Sequence, residues 1–251
     1  MMNRAAFDRW LATQRPTGIE VIPGLHKALP GKLDDADVKL GEPIRFGGYG
    51  EDRSLYTQPL FAPDGEEPRT IHLGIDIFAP ADTDVITPLN ARVHSSRIND
   101  NPGDYGPTII LEHVPAPGLK FHTLYGHLDR DSLKGLKPGT AFMAGEKIAE
   151  LGTKRENGGW PPHLHFQIIT DMLELGRDFP GVAYASQRDL WRSLSPDPNV
   201  ILGIPAERFP APAPPWHGRT PARPASPTPQ TTTRPAQDPK AKEGTPLRPQ
   251  G

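Results

Sequence analysis

The sequence predicts a mostly β fold, and two features of residues 41–200 carry that expectation. Short apolar runs there are cut at close spacing by turn signals: Phe46-Gly47-Gly48-Tyr49-Gly50, Ala62-Pro63-Asp64-Gly65, Asn101-Pro102-Gly103-Asp104, Ala116-Pro117-Gly118 and Lys137-Pro138-Gly139. No long helical period interrupts the series until 187–194, Gln-Arg-Asp-Leu-Trp-Arg-Ser-Leu, which reads as a helix ending before Pro196. A third observation bounds the domain. After Ile204 the composition changes abruptly, and 13 of the 32 prolines fall in 205–251 among Thr, Ala, Arg and Gln.

Taken in order, residues 1–40 read as an N-terminal extension. It opens on a short amphipathic helix, Met1 to Thr13, and continues through Pro16-Thr17-Gly18, Pro23-Gly24, Pro30-Gly31 and an acidic Asp34-Asp35-Ala36-Asp37 patch. Residues 41–204 form the β domain, with strands expected at 71–77, 84–87, 91–98, 108–114, 121–127, 141–142, 147–152 and 163–170. Residues 205–251 read as a disordered, partly polyproline tail, too poor in apolar side chains to offset the entropy of ordering.

The formal net charge is −2. With seven Lys/Arg and three Asp/Glu in 205–251, the rest of the chain holds 21 basic against 27 acidic residues, so nucleic-acid binding by the body is not expected. There are no cysteines, which removes thiolate ligands, a cysteine nucleophile and disulfides together. Any metal must sit on His, Asp or Glu. No run reaches transmembrane length. Asp8 and Arg9 break the N-terminal apolar run, unlike a secretory segment, so the expected location is cytoplasmic, or periplasmic or extracellular if export uses another route.

Three clusters carry candidate chemistry. The first is His163-Leu164-His165 in a β-branched, aromatic-flanked run, where alternation points both imidazoles to one strand face, their Cα atoms roughly 6–7 Å apart, and sends Leu164 to the core. Alone, such a pair is as readily a cross-strand surface feature. The second is His72-Leu73-Gly74-Ile75-Asp76. In a straight strand His72 and Asp76 would stand about 13 Å apart, too far to share an ion, so the chain must bend, and Gly74 can supply the bend. The third is Tyr125-Gly126-His127-Leu128, in which alternation places His127, Tyr125 and Thr123 on one face with His122 and Leu124 on the other. Two His and one Asp would give three protein ligands with a position open for water, the count typical of catalytic zinc.

The ordered series resembles the lysostaphin/LytM-type zinc metallopeptidases, which cut peptide cross-links of bacterial cell walls. The match runs through His72-x-Gly74-x-Asp76, Ala79-Pro80, Thr83-x-Val85, Tyr105-Gly106, Ile110-x-x-His113, Tyr125-Gly126-His127-Leu128, Gly145-x-x-Ile148-Ala149-x-x-Gly152 and Pro162-His163-Leu164-His165-Phe166. Departures fall at Asp82-Thr83-Asp84, at Ala91 and at Glu156 to Pro161, and they bear on the shape of the groove. The resemblance implies a small, mostly antiparallel β-sheet domain, barrel- or sandwich-like, with a groove over one Zn²⁺ per chain. It implies His72, Asp76 and His165 as zinc ligands and His127 and His163 as the catalytic pair. The activity implied is hydrolysis of peptide bonds, in peptidoglycan cross-links or related short peptides.

A non-catalytic binding or regulatory module on the same scaffold is the alternative from another class. A non-haem iron oxygenase also uses two His and a carboxylate, but the His72 to Asp76 spacing differs from its usual HxD. Arg53, Tyr56 and Trp160 are candidates for the groove wall. His113 reads as a strand-end residue, and His26, His94, His122 and His217 have no evident partner cluster in the sequence.

Overall fold

Residue placement in the computed structural model is described for 4–13, 18–32, 38–53, 56, 59–62 and 65–209. The acidic patch at 34–37, His217 and the proline-rich stretch from 210 onward lie outside the described residues. Among the described residues, no helix is long and apolar enough to cross a membrane.

The β reading is realised as an eight-stranded sheet with two small satellites. In chain order the strands are β1 (Leu29–Pro30), β2 (Arg45–Gly47), β3 (Arg69–His72), β4 (Ile75–Phe78), β5 (Asp84–Ile86) and β6 (Ala91–Asn99). They continue as β7 (Gly106–Ala116), β8 (Leu119–Gly126), β9 (Ala141–Phe142), β10 (Lys147–Glu150), β11 (His163–Ile169) and β12 (Val182–Tyr184). The main sheet runs β1-β2-β4-β11-β8-β7-β6-β9, with β10-β5 and β12-β3 as separate pairs. Among the described residues only β1 and β2 pair in parallel, and the other strand pairings are antiparallel.

The strand expected at 71–77 is two. It breaks at Leu73-Gly74, after which β4 joins the main sheet while β3 pairs with β12. Gly74 is required there, because a Cβ would stand 2.6 Å from His165 Nε2 and 2.8 Å from the Phe166 carbonyl.

Alternation along the central strands separates two faces. Ile75, Ile77, Leu164, Phe166, Tyr125, Ile109, Leu111 and Val93 form one core, completed by Val85, Ile148 and Leu151 from the β5/β10 side. The 21–28 segment of the N-terminal extension enters this core through Val21, Ile22, Leu25 and Ala28, each 2% exposed or less. Its apolar residues surround a single 3₁₀ turn, so no periodic signal marks them in the sequence. Helix α1 (Arg4–Leu11) buries Phe7 edge-on against Phe121, ring centroids 5.0 Å apart, beside Leu119 and Ile168.

The expected C-terminal helix is α2 (Arg188–Leu194), which packs Trp191 on Phe179; a one-turn α3 (Asn199–Leu202) follows. Phe209 stacks edge-on against Phe46 at 4.9 Å.

Candidate metal centre

Strand register assembles the site on the opposite face. Antiparallel pairing of β4 with β11 sets Asp76 across from His165 and Phe78 across from His163, and β8 presents Gly126 to His165 on the other side. The break at Gly74 turns His72 back over the same spot. His72 Nε2 and His165 Nδ1 both lie against Asp76 Oδ1, at 3.2 and 3.1 Å, and stand 3.0 Å from each other. All three residues are buried, and one ligand atom from each lies within 4.8 Å of the others.

His163 lies just outside this trio, with Nε2 3.9 Å from Asp76 Oδ1. His127 faces it, ring centroids 4.1 Å apart. The strand alternation expected for β8 would have sent His127 to the core side with Tyr125. Instead the chain leaves the strand at Gly126, and His127 adopts a left-handed backbone, φ 65°, which swings its ring to the site face.

Each imidazole has its outer nitrogen committed to an oxygen that can only accept. His72 Nδ1 donates to the Gly48 carbonyl at 3.1 Å, His127 Nδ1 to the Asn157 carbonyl at 2.9 Å, and His163 Nδ1 to the Pro161 carbonyl at 2.7 Å. His165 Nε2 donates to Gln167 Oε1 at 2.9 Å, and the Gln167 amide is itself held by Pro180 and Ser195. In the neutral rings the lone pairs therefore sit on the inner nitrogens and converge. At 3.0 Å, the lone pairs of His72 and His165 repel across the Asp76 carboxylate unless a cation or a proton lies between them. The donor set, two imidazoles and one carboxylate with outer nitrogens hydrogen-bonded, fits zinc.

Electrostatics agree with neutral rings around an ionised carboxylate. Burial, reinforced by Arg53, pushes His72 down to about 4 against the pull of Asp76. Burial likewise lowers His163, and burial with the neighbouring His163 holds His127 well below the ordinary imidazole value. Burial would raise Asp76, but neighbouring His72 and the Arg53 guanidinium hold its carboxyl well below the usual carboxylate range. Arg53, 6% exposed, donates from Nη1 to Asp76 Oδ2 at 2.5 Å and to the Tyr56 hydroxyl at 2.7 Å.

The trio opens into a cavity of about 440 Å³ whose walls include Tyr56, Phe61, Tyr105, Trp160, Phe179 and Val182. Trp160 is a wall residue, packed edge-on against Tyr56 at 5.8 Å. Tyr56 is a wall residue too, whereas Arg53 acts from behind Asp76.

Several histidines stand elsewhere. His113 is buried, not a surface strand end; it donates to the Asn90 carbonyl and meets Thr123 Oγ1 at 2.7 Å, away from the trio. His26 pairs with Glu20 at the surface. His94 and His122, expected to lack a cluster, meet each other and Glu112 across three strands. Sequence reasoning also missed Gln167, although it is the next residue after His163 and His165 on the same strand face. It could not have found the carbonyls of Gly48, Asn157 and Pro161, which carry no side-chain signal.

Residues 70–175 match the model of peptidase family M23. No curated protein matches the chain in sequence. Among solved structures, a zinc-containing peptidase from Vibrio cholerae is similar at 20% identity and a TM-score of 0.35, over 59% of this chain and 37% of that one. The catalytic domain of lysostaphin from Staphylococcus simulans is similar at 21% identity and a TM-score of 0.35, over 58% and 90%. The catalytic domain of the prophage-encoded M23 protein EnpA from Enterococcus faecalis is similar at 19% and 0.37, over 54% and 87%. The match thus spans little more than a third of the Vibrio cholerae peptidase.

Proposed function

Residues 70–175 belong to peptidase family M23, and from that premise we propose that the chain is a zinc-dependent endopeptidase acting on peptidoglycan cross-links or related short peptides. The observation that carries the reading is the convergence of inward lone pairs from His72 and His165 on Asp76, with two further neutral imidazoles alongside. His72, Asp76 and His165 would hold the metal. When bound, zinc supplies Lewis acidity toward a scissile carbonyl and toward water.

The rest of the chemistry belongs to the chain. His163 and His127, neutral and with Nε2 facing inward, accept a proton from the attacking water, and the imidazolium so formed returns it to the leaving amine. A ring that has gained that proton also donates to the developing oxyanion. Both roles need the ring orientation fixed, which the Pro161 and Asn157 carbonyls supply. Arg53 keeps Asp76 ionised and turned so that Oδ1 faces the imidazoles. The aromatic walls limit water in the groove and give apolar parts of a short peptide a surface to pack on.

The test is zinc content together with hydrolysis of purified peptidoglycan and its cross-linked peptides, with and without a chelator. Chelator-sensitive cleavage is expected. His165→Ala is expected to lower zinc content by about one ion per chain. His127→Ala and His163→Ala are expected to keep that ion and lose turnover; its loss in either would refute the division of roles. Metal without any cleavage would point to the non-catalytic module.

A further inference from the structure

A second cluster of metal-ligating side chains lies on the same sheet face. Pairing of β7 with β8 sets Glu112 directly across from His122, and His122 is four residues before Gly126, which faces His165. Four residues of strand separate the two clusters by roughly 13 Å. The third member, His94, is the extra residue of a bulge in β6, where the register with β7 shifts between Val93 and Ser95. A bulge of this kind re-aims a side chain. Here it turns the His94 ring toward His122, centroids 4.8 Å apart.

The structure assigns His94, Glu112 and His122 as a second divalent-metal site, suited to zinc or a similar transition ion that prefers imidazole and carboxylate.

Three observations carry it. One ligand atom from each residue lies within 4.8 Å of the others; ligands about 2.1 Å from a tetrahedral zinc stand roughly 3.4 Å apart, so small rotamer shifts would close the site. His122 is only 6% exposed, yet neither of its ring nitrogens has a hydrogen-bond partner among the described residues, and its nearest approach to Glu112 is 3.7 Å. A buried imidazole left so has given up its hydrogen bonds to water without replacement, a cost that a purely structural histidine has no reason to incur. Finally, His94 Nε2 donates to the Gly176 carbonyl at 2.9 Å, which fixes the tautomer and leaves Nδ1 as the free lone pair, the outer-shell arrangement of a ligating histidine.

Lys120 is the competing cation, with Nζ 3.0 Å from Glu112 Oε2. Its side chain is half exposed, so it can yield the carboxylate or share it. His94 and Glu112 are themselves only partly buried, which leaves room for water to complete the coordination.

The site bears on the groove through one segment. Gly176 and Arg177 are tied to the sheet by His94 and by Ser95 Oγ, and Leu175, Asp178, Phe179 and Pro180 from the same segment line the cavity beside the first cluster. An ion on His94 would therefore hold that wall in place. This is a structural or regulatory metal, separate from the one that performs chemistry.

Metal counting on the full chain decides the matter without any activity assay. The protein is stripped with chelator, dialysed against buffered zinc and analysed for bound metal. The wild type is expected to retain about two ions per chain, His165→Ala and His122→Leu about one each, and the double variant none. Leu fits the buried His122 position without leaving polar atoms unpaired, so circular dichroism should show the fold intact. Glu112→Gln, which keeps the side-chain shape, is expected to weaken the second ion at least about 10-fold. In the His165→Ala background, zinc is expected to raise the melting temperature, and adding His122→Leu is expected to abolish the rise. If folded His122→Leu binds as much zinc as the wild type, the second site does not exist. A one-ion wild type whose ion is lost with His165→Ala would also overturn it, while leaving the first site standing.

Discussion

Gln167 Oε1 accepts the Nε2 hydrogen of His165 across 2.9 Å, while the Gln167 amide nitrogen is held by Pro180 and by Ser195 Oγ. One strand-face neighbour thus decides which nitrogen His165 turns toward Asp76. Gln167→Leu would remove the acceptor, strand a buried N–H and free the ring to change tautomer. Zinc affinity at the first cluster is expected to fall about 10–100-fold, with the fold retained. Competition with a chromophoric chelator measures it, and unchanged affinity would show that His165 is oriented by packing alone.

That contact marks how far the sequence could be read. Period-two alternation places His163, His165 and Gln167 on one face, and the need for a bend between His72 and Asp76 points to Gly74, where β3 and β4 separate. The same rule fails at His127, because a positive φ after Gly126 reverses its direction. It fails again at His94, where a bulge adds a residue and no local spacing announces it. Val21, Ile22 and Leu25 were illegible for a different reason: they join the core through tertiary packing around a single turn. Arg53 reaches Asp76 across 23 residues, a pairing that only the fold brings about.

The left-handed backbone at His127 predicts a trade of stability for position. An L-residue with a Cβ is strained there by about 1 kcal/mol, and Asn tolerates the conformation better than Ala. His127→Asn is expected to be more stable than His127→Ala by about 1 kcal/mol, with both inactive. Urea denaturation of the two variants gives the comparison, and equal stabilities would mean that the strain is relieved elsewhere.

The Arg53–Asp76 pair is buried on both sides, at 6% and 2% side-chain exposure. Arg53→Met removes one partner and leaves the carboxylate without its cation, a change that costs about 3–5 kcal/mol at buried pairs. The loss is expected to be largest in chelator and smaller in zinc, because an ion on Asp76 replaces the missing charge. Unfolding with and without zinc reads the difference directly; equal losses in both conditions would place Asp76 outside the metal site.

His113 offers a pH signature away from the first cluster, although it neighbours Glu112 of the second. Burial pushes it down to about 4, with the Asn90 carbonyl and Glu112 opposing, so the folded protein keeps the ring neutral where the unfolded chain would titrate near 6.5. Above about pH 6.5 neither state binds the proton and the ring's contribution is intact. Between there and pH 4 the unfolded chain binds more protons, so stability falls as pH falls, by on the order of 3 kcal/mol across the window, and then levels off. His113→Gln should be less stable at neutral pH, since it disturbs the contacts to Asn90 and Thr123, yet it should lose less on acidification. Unfolding free energies of the two proteins at pH 7.5 and 4.5 isolate the term, because all other titrating groups are shared. Parallel pH profiles would show that His113 charges freely in the folded state and that its burial is not what excludes the proton.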